Sequence, residues 1–401
     1  MRNRTLTTIA VAVTASAVAL SGCSSSKKSG TGGLGSSSGT SSGTHTYKIG
    51  FIGALSGPNA QLGINERNGA QLAVDQANAG KNNFKVTLDP QDSEGDPAKA
   101  PAAATQLIAD PNVIATVGPA FSGESKAVDP SFCSASPPMP IVTASASNAT
   151  LQTLGFTCWH RIVPNDNVEG SQGADWLART GAHKVYVLND LSTYGAGVAA
   201  TMASELAAKG VTVVKSGVDG TTTKNYNPIA QTIAASGSDA IFYGGYDSQA
   251  ALLAKALVAA GFKGRTVTGN GGKSSVFTSG AGTAGDKWYF TCGCQDATTA
   301  PSAAAFATAY QAKFNTAPST YSPEAYDATN LVIDAISKAS ASGAATRTSV
   351  LTALNAADYK GITTQIKFQS NGELDSSSLI VNLFQQKNGQ IVGLGNINQQ
   401  K

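Results

Sequence analysis

The sequence predicts an α/β protein made of two similar sets of parallel strands and covering helices, and three observations carry that prediction. Residues 49–78 read as one strand, one glycine-rich bend and one amphipathic helix. From Tyr47 onward such strands and helices alternate, which is the signature of parallel α/β construction. After Cys158-Trp159-His160-Arg161 the alternation restarts and supplies a second complete set.

The run 49–55 is short and mostly apolar, like a strand buried on both faces. Ser56-Gly57-Pro58-Asn59 breaks it, since glycine allows unusual φ and proline lacks a ladder donor, and Gly63 leads into the helix. Over 68–78, Leu72, Ala73, Ala77 and Gly69 share one face while Gln71, Asp75 and Gln76 face away. Ligands of open α/β sheets bind beside such loops, at the carboxyl ends of strands. A second strand spans 84–88. Asp96-Pro97 then starts a helix with an N-cap carboxylate and a first-turn proline, and this helix runs through Leu107 and Ile108. The third strand, 113–117, ends at Gly118-Pro119-Ala120-Phe121-Ser122-Gly123, and the fourth, 140–143, ends at Ala144-Ser145-Ala146-Ser147-Asn148. Two serine-bearing strand exits are thus adjacent.

The second set opens at Pro164-Asn165-Asp166 with a helix to Arg179, followed by strand 184–188, the Tyr194-Gly195 bend and helix 197–208. Strand 211–215, helix 227–235, strand 239–243 and helix 248–260 follow, then strands 265–268 and 287–291. Helices dominate 302–354, and 379–386 with 390–395 reads as a terminal hairpin around Lys387-Asn388-Gly389.

The ends and the composition narrow the function. Arg2 and Arg4 precede a largely apolar or small stretch, 6–20, closed by Leu20-Ser21-Gly22-Cys23, so residues 1–22 read as a secretory signal peptide; a signal-anchor helix is the alternative. Residues 24–44 are almost entirely Ser, Gly, Thr and Lys, a tether reaching roughly 25 Å. Its Gly-x-Ser-x-Gly and Gly-x-Gly-x-x-Gly matches lack the strand before and helix after that those motifs require. Without Arg2 and Arg4, 26 of the 28 basic residues remain against 25 acidic ones, a net charge of +1. Nothing in that balance calls for nucleic acid or an anionic membrane surface. Catalysis finds no support either: His45, His160 and His183 have no joining spacing, and 280–285 matches a dinucleotide pattern but is followed by a strand.

Residues 49–78 closely resemble the opening βα unit of the branched-chain amino-acid binding proteins, the type I periplasmic solute-binding family that serves ABC importers. Tyr243-Gly244-Gly245-Tyr246, Ala259-Ala260-Gly261-Phe262 and Ala325-Tyr326-Asp327-Ala328 extend the resemblance in order and spacing. It implies two doubly wound, Rossmann-like lobes joined by a three-crossing hinge near residues 164–166, 292–296 and 374–379. Lobe one would hold 45–164 and 293–375, and lobe two 165–292 and 376–401. Leu-Ser-Gly-Cys looks like the lipobox of bacterial lipoproteins, which implies cleavage before Cys23, lipidation of its thiol and a lipidated tether, 23–44, at the outer face of the cytoplasmic membrane.

With Cys23 lipidated, four cysteines remain, an even number for an oxidising compartment. A bridge between Cys133 and Cys158 would flank the second serine loop, and one between Cys292 and Cys294 would stiffen the second crossing; free thiols or a metal are the alternatives. No clustered His or further Cys pair completes a tetrahedral site.

The resemblance also implies a ligand set. Ser122 from the first loop, with Ser145 and Ser147 from the second, would hold the ligand's carboxylate through hydroxyls and backbone amides. Leu62, Phe121, Tyr194, Tyr246 and Tyr321 would wall the cleft. One departure stands out: where the family holds the ammonium with a carboxylate, this chain reads Gly269-Asn270-Gly271-Gly272. Asn270 takes the ligand position there, and Asp247 is the nearest substitute acid; otherwise the ligand is not a conventional α-amino acid. The expected protein is a monomeric extracytoplasmic receptor, without cofactor, that closes on a small carboxylate-bearing solute and delivers it to an ABC permease complex. The alternative is a ligand-sensing surface module that signals to a membrane partner.

Overall fold

The structure, a computed structural model, describes residues 44–401. The expected signal peptide, the tether and the lipidated Cys23 lie outside the described residues.

The first sheet is built from β1 (His45–Gly53), β2 (Phe84–Asp92), β3 (Val113–Val117), β4 (Ile141–Thr143) and β5 (Trp159–Arg161), in the order β2-β1-β3-β4-β5, with every pairing parallel. Between them run α1 (Ala60–Ala79), α2 (Ala100–Ala109) and α3 (Ser122–Ser134). The second layered unit begins with α4 (Asp166–Arg179), β6 (Lys184–Asn189), α5 (Thr193–Ala208), β7 (Thr212–Gly217) and α6 (Asn227–Ala235). It continues through β8 (Ala240–Gly244), α7 (Asp247–Ala259), β9 (Arg265–Thr268), α8 (Ser275–Ala281) and β10 (Tyr289–Cys292). The chain then returns with α9 (Ala304–Phe314), α10 (Ser322–Ala339), α11 (Arg347–Asn355) and the small antiparallel pair β11 (Asp358–Lys360) and β12 (Gln365–Lys367). It ends in the hairpin of β13 (Asn382–Lys387) and β14 (Gln390–Asn396), which extends the second sheet antiparallel to β10, in the order β14-β13-β10-β9-β8-β6-β7.

Each sheet is covered on both faces, which is why its strands are apolar runs and not alternating ones. On one face of the first sheet Ile49 and Phe51 pack with Ala73 of α1 and with Leu331, Val332 and Leu354, although those partners arrive almost three hundred residues later in the chain. On the other, Ile52 packs with Leu107 of α2 and Phe132 of α3. In the second sheet Ile241 and Tyr243 meet Ile233, Leu253 and Phe277, while Val187 and Phe242 meet Leu177, Val198 and Met202.

Several elements differ from the local reading. Helix α1 begins at Ala60, so Gly63, expected to lead into the helix, lies within its first turn; a Cβ there would lie 2.0 Å from the Ala54 carbonyl oxygen, so its bareness lets helix and strand touch. The helix after Asp96 starts at Ala100, and Asp96 instead closes a turn through a bond from the Ala98 amide. β5, α3 and α8 have no counterpart in the expected order; α3 carries Pro130 inside it and β5 is only three residues long, so neither shows a strong periodic signal. At the terminal hairpin Asn388 and Gly389 both take positive φ, 50° and 75°, the turn such a two-residue loop requires.

Three strands of chain pass between the two sheets side by side. Pro164 packs on Gly293, Asn382 Nδ2 donates to the Cys294 carbonyl at 2.9 Å, and a cavity of about 230 Å³ lies among Ile162, Pro164, Cys294, Leu374 and Ile380. The sulfur atoms of Cys133 and Cys158 are 2.02 Å apart, and those of Cys292 and Cys294 2.05 Å apart. Among the described residues no helix is long and apolar enough to cross a membrane.

Candidate functional site

The strand exits of both sheets converge on one small cavity, as parallel α/β geometry favours. From the first sheet side come Leu62 and Glu66 of α1, Ala120, Phe121 and Ser122 at the β3 exit, and Ser145 at the β4 exit. From the other side come Tyr194 at the start of α5, Tyr246 at the β8 exit, and Asn270 with Gly271 after β9; Tyr321, before α10, completes the wall. Tyr321 holds φ of 65°, a left-handed conformation uncommon for a residue with a side chain, and it does so where its ring closes the site.

Of the residues expected from the sequence, Leu62, Phe121, Ser122, Ser145, Tyr194, Tyr246, Asn270 and Tyr321 therefore line one cavity. Phe121 meets Tyr246 edge to face with centroids 5.3 Å apart, and Tyr194 lies 5.5 Å from Tyr246. Ser147 and Asp247 are not brought to the wall. Ser147 is buried behind it, its carbonyl taking the Asp166 amide at 2.8 Å. Asp247 is fully buried, with its carboxylate taken by the Ser274 hydroxyl and the Ser248 amide. It fastens the loop after β9 from behind and does not line the cavity.

The serine loops are held from below. Glu124, three residues into α3, accepts from the Phe121 amide at 3.1 Å and from the Ser93 hydroxyl, and burial pushes it up to about 7. The Ser122 oxygen accepts the Asn148 amide at 3.1 Å, which leaves its own proton uncommitted, whereas Ser145 donates to the Ala120 carbonyl at 2.6 Å. Arg161 is fully buried and donates to the carbonyls of Ala146 and Asn148, both at 2.9 Å, while its other edge forms a fork with Glu373. One guanidinium thus ties the second serine loop to the third interlobe strand.

Buried acids crowd the far wall. Glu169 accepts from the Asn270 amide at 3.0 Å, from its side chain and from the Thr291 hydroxyl at 2.8 Å, and burial pushes it up to about 7. Asp166 is pushed up to about 8 by burial and then by Glu169, with the Ser147 hydroxyl as its hydrogen-bonding neighbour. Glu66 is 1% exposed, and burial raises it well above the ordinary carboxylate range. Glu66, Glu124, Arg161, Asp166 and Glu169 were all missed by pattern reading. A signal for Glu66 exists: once α1 starts at Ala60, Leu62 and Glu66 fall at i and i+4 on one face. For the others only spatial neighbours give them meaning.

The enclosed space is about 20 Å³. A single water needs roughly 10–15 Å³, so any larger occupant requires the walls to separate. Contacts that span the cleft hold it shut: Asn148 Nδ2 donates to the Thr193 carbonyl at 2.7 Å, and Lys273 Nζ donates to the Thr320 hydroxyl at 3.2 Å. Among the described residues no group of three His, Cys, Asp or Glu side chains is placed to hold a metal ion.

A family model described as "Periplasmic binding protein" matches residues 46–389. A Leu/Ile/Val-binding protein of Rhizobium johnstonii is 30% identical over 348 residues, covering 86% of this chain and 92% of the relative. The solved branched-chain amino acid transporter substrate-binding protein LivJ of Streptococcus pneumoniae, in complex with isoleucine, superposes with a TM-score of 0.77 at 26% identity, covering 87% of this chain and 99% of that one. A leucine-binding protein of Thermotoga maritima shares the fold with a TM-score of 0.79 at 23% identity, over 86% of this chain and 97% of its own.

Proposed function

Because the chain belongs to the periplasmic binding protein family, whose members are solute-binding receptors and not enzymes, we propose that it captures a small carboxylate-bearing solute for an ABC permease. The solute class is that of the branched-chain amino acids and related organic acids, in line with the Leu/Ile/Val binding of the Rhizobium relative and the isoleucine held by the streptococcal one.

One observation carries the reading: the cavity takes Ser122 and Ser145 from one half and Tyr194 and Tyr246 from the other. A solute that touches both therefore draws the halves together. The two lobes are 45–164 with 293–375, and 165–292 with 376–401. The free proton of Ser122, at the start of α3, suits a carboxylate oxygen, and the helix terminus favours the negative charge. Leu62, Phe121, Tyr194, Tyr246 and Tyr321 give the solute's apolar part its surroundings. Cys23 anchors the protein by acyl chains, residues 23–44 tether it, and Cys133 with Cys158 and Cys292 with Cys294 form disulfides that an extracytoplasmic compartment sustains. It works as a monomer, since delivery needs one receptor face at a time.

Calorimetric titration of the purified protein with leucine, isoleucine and valine, and with the same acids lacking the amine, tests the solute class. One-to-one binding by members of the series is expected. Silence toward all six would remove the proposed class while leaving the family unaffected. For the anchor, mass spectrometry of the membrane-extracted protein is expected to show a diacylglyceryl thioether on Cys23, and an unmodified thiol there would exclude it.

A further inference from the structure

The acid that the resemblance places after β9 is absent, and the loop leaves no room for a side chain at Gly271. A Cβ on Gly271 would lie 2.7 Å from the Gly245 carbonyl oxygen and 2.7 Å from the Tyr194 ring. The loop has given up its side chain to close packing. A zwitterionic solute in this cleft needs its counter-charge from somewhere else, because a buried ammonium without one costs on the order of a hundredfold or more in affinity.

The other buried carboxylates around the cleft can be taken in turn. Asp247 is occupied by Ser274 and Ser248 and lies off the wall. Glu169 already accepts three hydrogen bonds, from both amides of Asn270 and from Thr291. Glu124 is spent on the turn at Phe121 and on Ser93. Glu324 points to the interlobe strands, where it accepts the Gln295 amide at 2.7 Å. Asp166 does not line the cavity.

Glu66 differs from all of them. It lines the cavity, it is 1% exposed, and its Oε2 is buried without any hydrogen-bond partner. The Ser145 hydroxyl is its hydrogen-bonding neighbour, and the acids Glu124 and Glu324 add to the burial that raises it. A buried, unpartnered carboxylate oxygen on a residue that lines the cavity, one helical turn from the apolar Leu62 on the same face of α1, suits a donor group.

We propose that Glu66 is the counter-charge of the solute's amino group, so that the acid lost after β9 is replaced from α1, on the opposite wall, and the preferred solute is an α-amino acid with a small apolar side chain. This rests on the solute class proposed above. The consequence for specificity is direct: the ammonium is paired with the wall that carries Ser122 and Ser145, and the loop after β9 contributes packing and Asn270 alone.

The test is calorimetry on wild type, Glu66→Gln and Glu66→Asp with two ligands, isoleucine and its amine-free analogue, beside thermal melts of the three unliganded proteins. The wild type is expected to prefer isoleucine. Glu66→Gln, which keeps the shape and removes the charge, is expected to weaken isoleucine about thirtyfold or more while leaving the amine-free acid as tight as before or tighter. Glu66→Asp is expected to keep the preference for the amine at reduced affinity, which a merely structural role would not do. Retention of isoleucine affinity in Glu66→Gln, an equal loss for both ligands, or a wild type that prefers the amine-free acid would each overturn the assignment of Glu66 and leave the receptor reading in place. A wild type silent toward both ligands would overturn the solute class together with it.

Discussion

Ser122 accepts the Asn148 amide through its oxygen and keeps its own proton uncommitted at the cavity wall, the proton proposed for a solute's carboxylate. Ser122→Ala removes both, so it is expected to lower stability by about 1–3 kcal/mol, because a buried amide loses its acceptor, and to weaken carboxylate solutes about tenfold. Melting and calorimetry read the two effects separately, and a loss of affinity with an unchanged melt would show that Asn148 finds another partner. Gly271→Ala puts a methyl group against the Gly245 carbonyl and the Tyr194 ring, so the expected outcome is weaker solute binding with the loop displaced. Eight of the ten site residues that the resemblance implies line the cavity; turn chemistry marks the strand exits among them, but not Leu62 in α1 or Tyr321 before α10. Asp247 shows the limit of that reading. Its position after Tyr246 suited a solute, yet a hydroxyl on Ser274, twenty-seven positions away, had already claimed it.

At the scale of elements, α1 organises the site because it is packed on two sides. Its Ala73 and Val74 face the first sheet, while Gly69 touches α10 so closely that a Cβ would lie 2.1 Å from the Ser322 carbonyl oxygen. Gly69→Ala is therefore expected to destabilise by about 1–3 kcal/mol or more, in spite of alanine's better helix propensity, and to disturb Tyr321 next to the contact. A melting temperature equal to or above that of the wild type would contradict this packing. Both glycines of α1, Gly63 and Gly69, are points of backbone contact in the fold, which the local pattern does not show. β5 escaped notice for a related reason, being three residues long and recognisable as a strand only through its pairing with β4.

For the whole molecule, closure and proton balance are the governing quantities. The Asn148 amide bond to Thr193 spans the cleft without lining the cavity, so Asn148→Ala is expected to weaken solute binding by shifting the population toward the open form. Small-angle scattering should show a larger unliganded radius of gyration in that variant, and identical curves for variant and wild type would exclude the latch. The buried acids set a pH dependence. Asp166, pushed up to about 8, and Glu169, pushed up to about 7, stay protonated in the fold where the unfolded chain has already ionised. The native state then holds more protons, and stability is lost as pH rises from the ordinary carboxylate range toward those values. The thermal midpoint is expected to be higher at about pH 5 than at about pH 8, with Asp166→Asn flattening the profile; a midpoint that climbs across that interval would sink the account.

What the sequence by itself determined was the alternation of strand and helix, the repetition of that pattern, the terminal hairpin and the strand exits that meet at the cavity. These follow from side-chain period and turn chemistry, which are set by near neighbours along the chain. Only the tertiary structure decided that Leu62 and Glu66 share a wall, that Arg161 secures the second serine loop through Glu373, and that Glu169 sits beneath Asn270. Burial and hydrogen-bond satisfaction decide what a charged side chain does, and here the deciding partners lie up to 212 positions away.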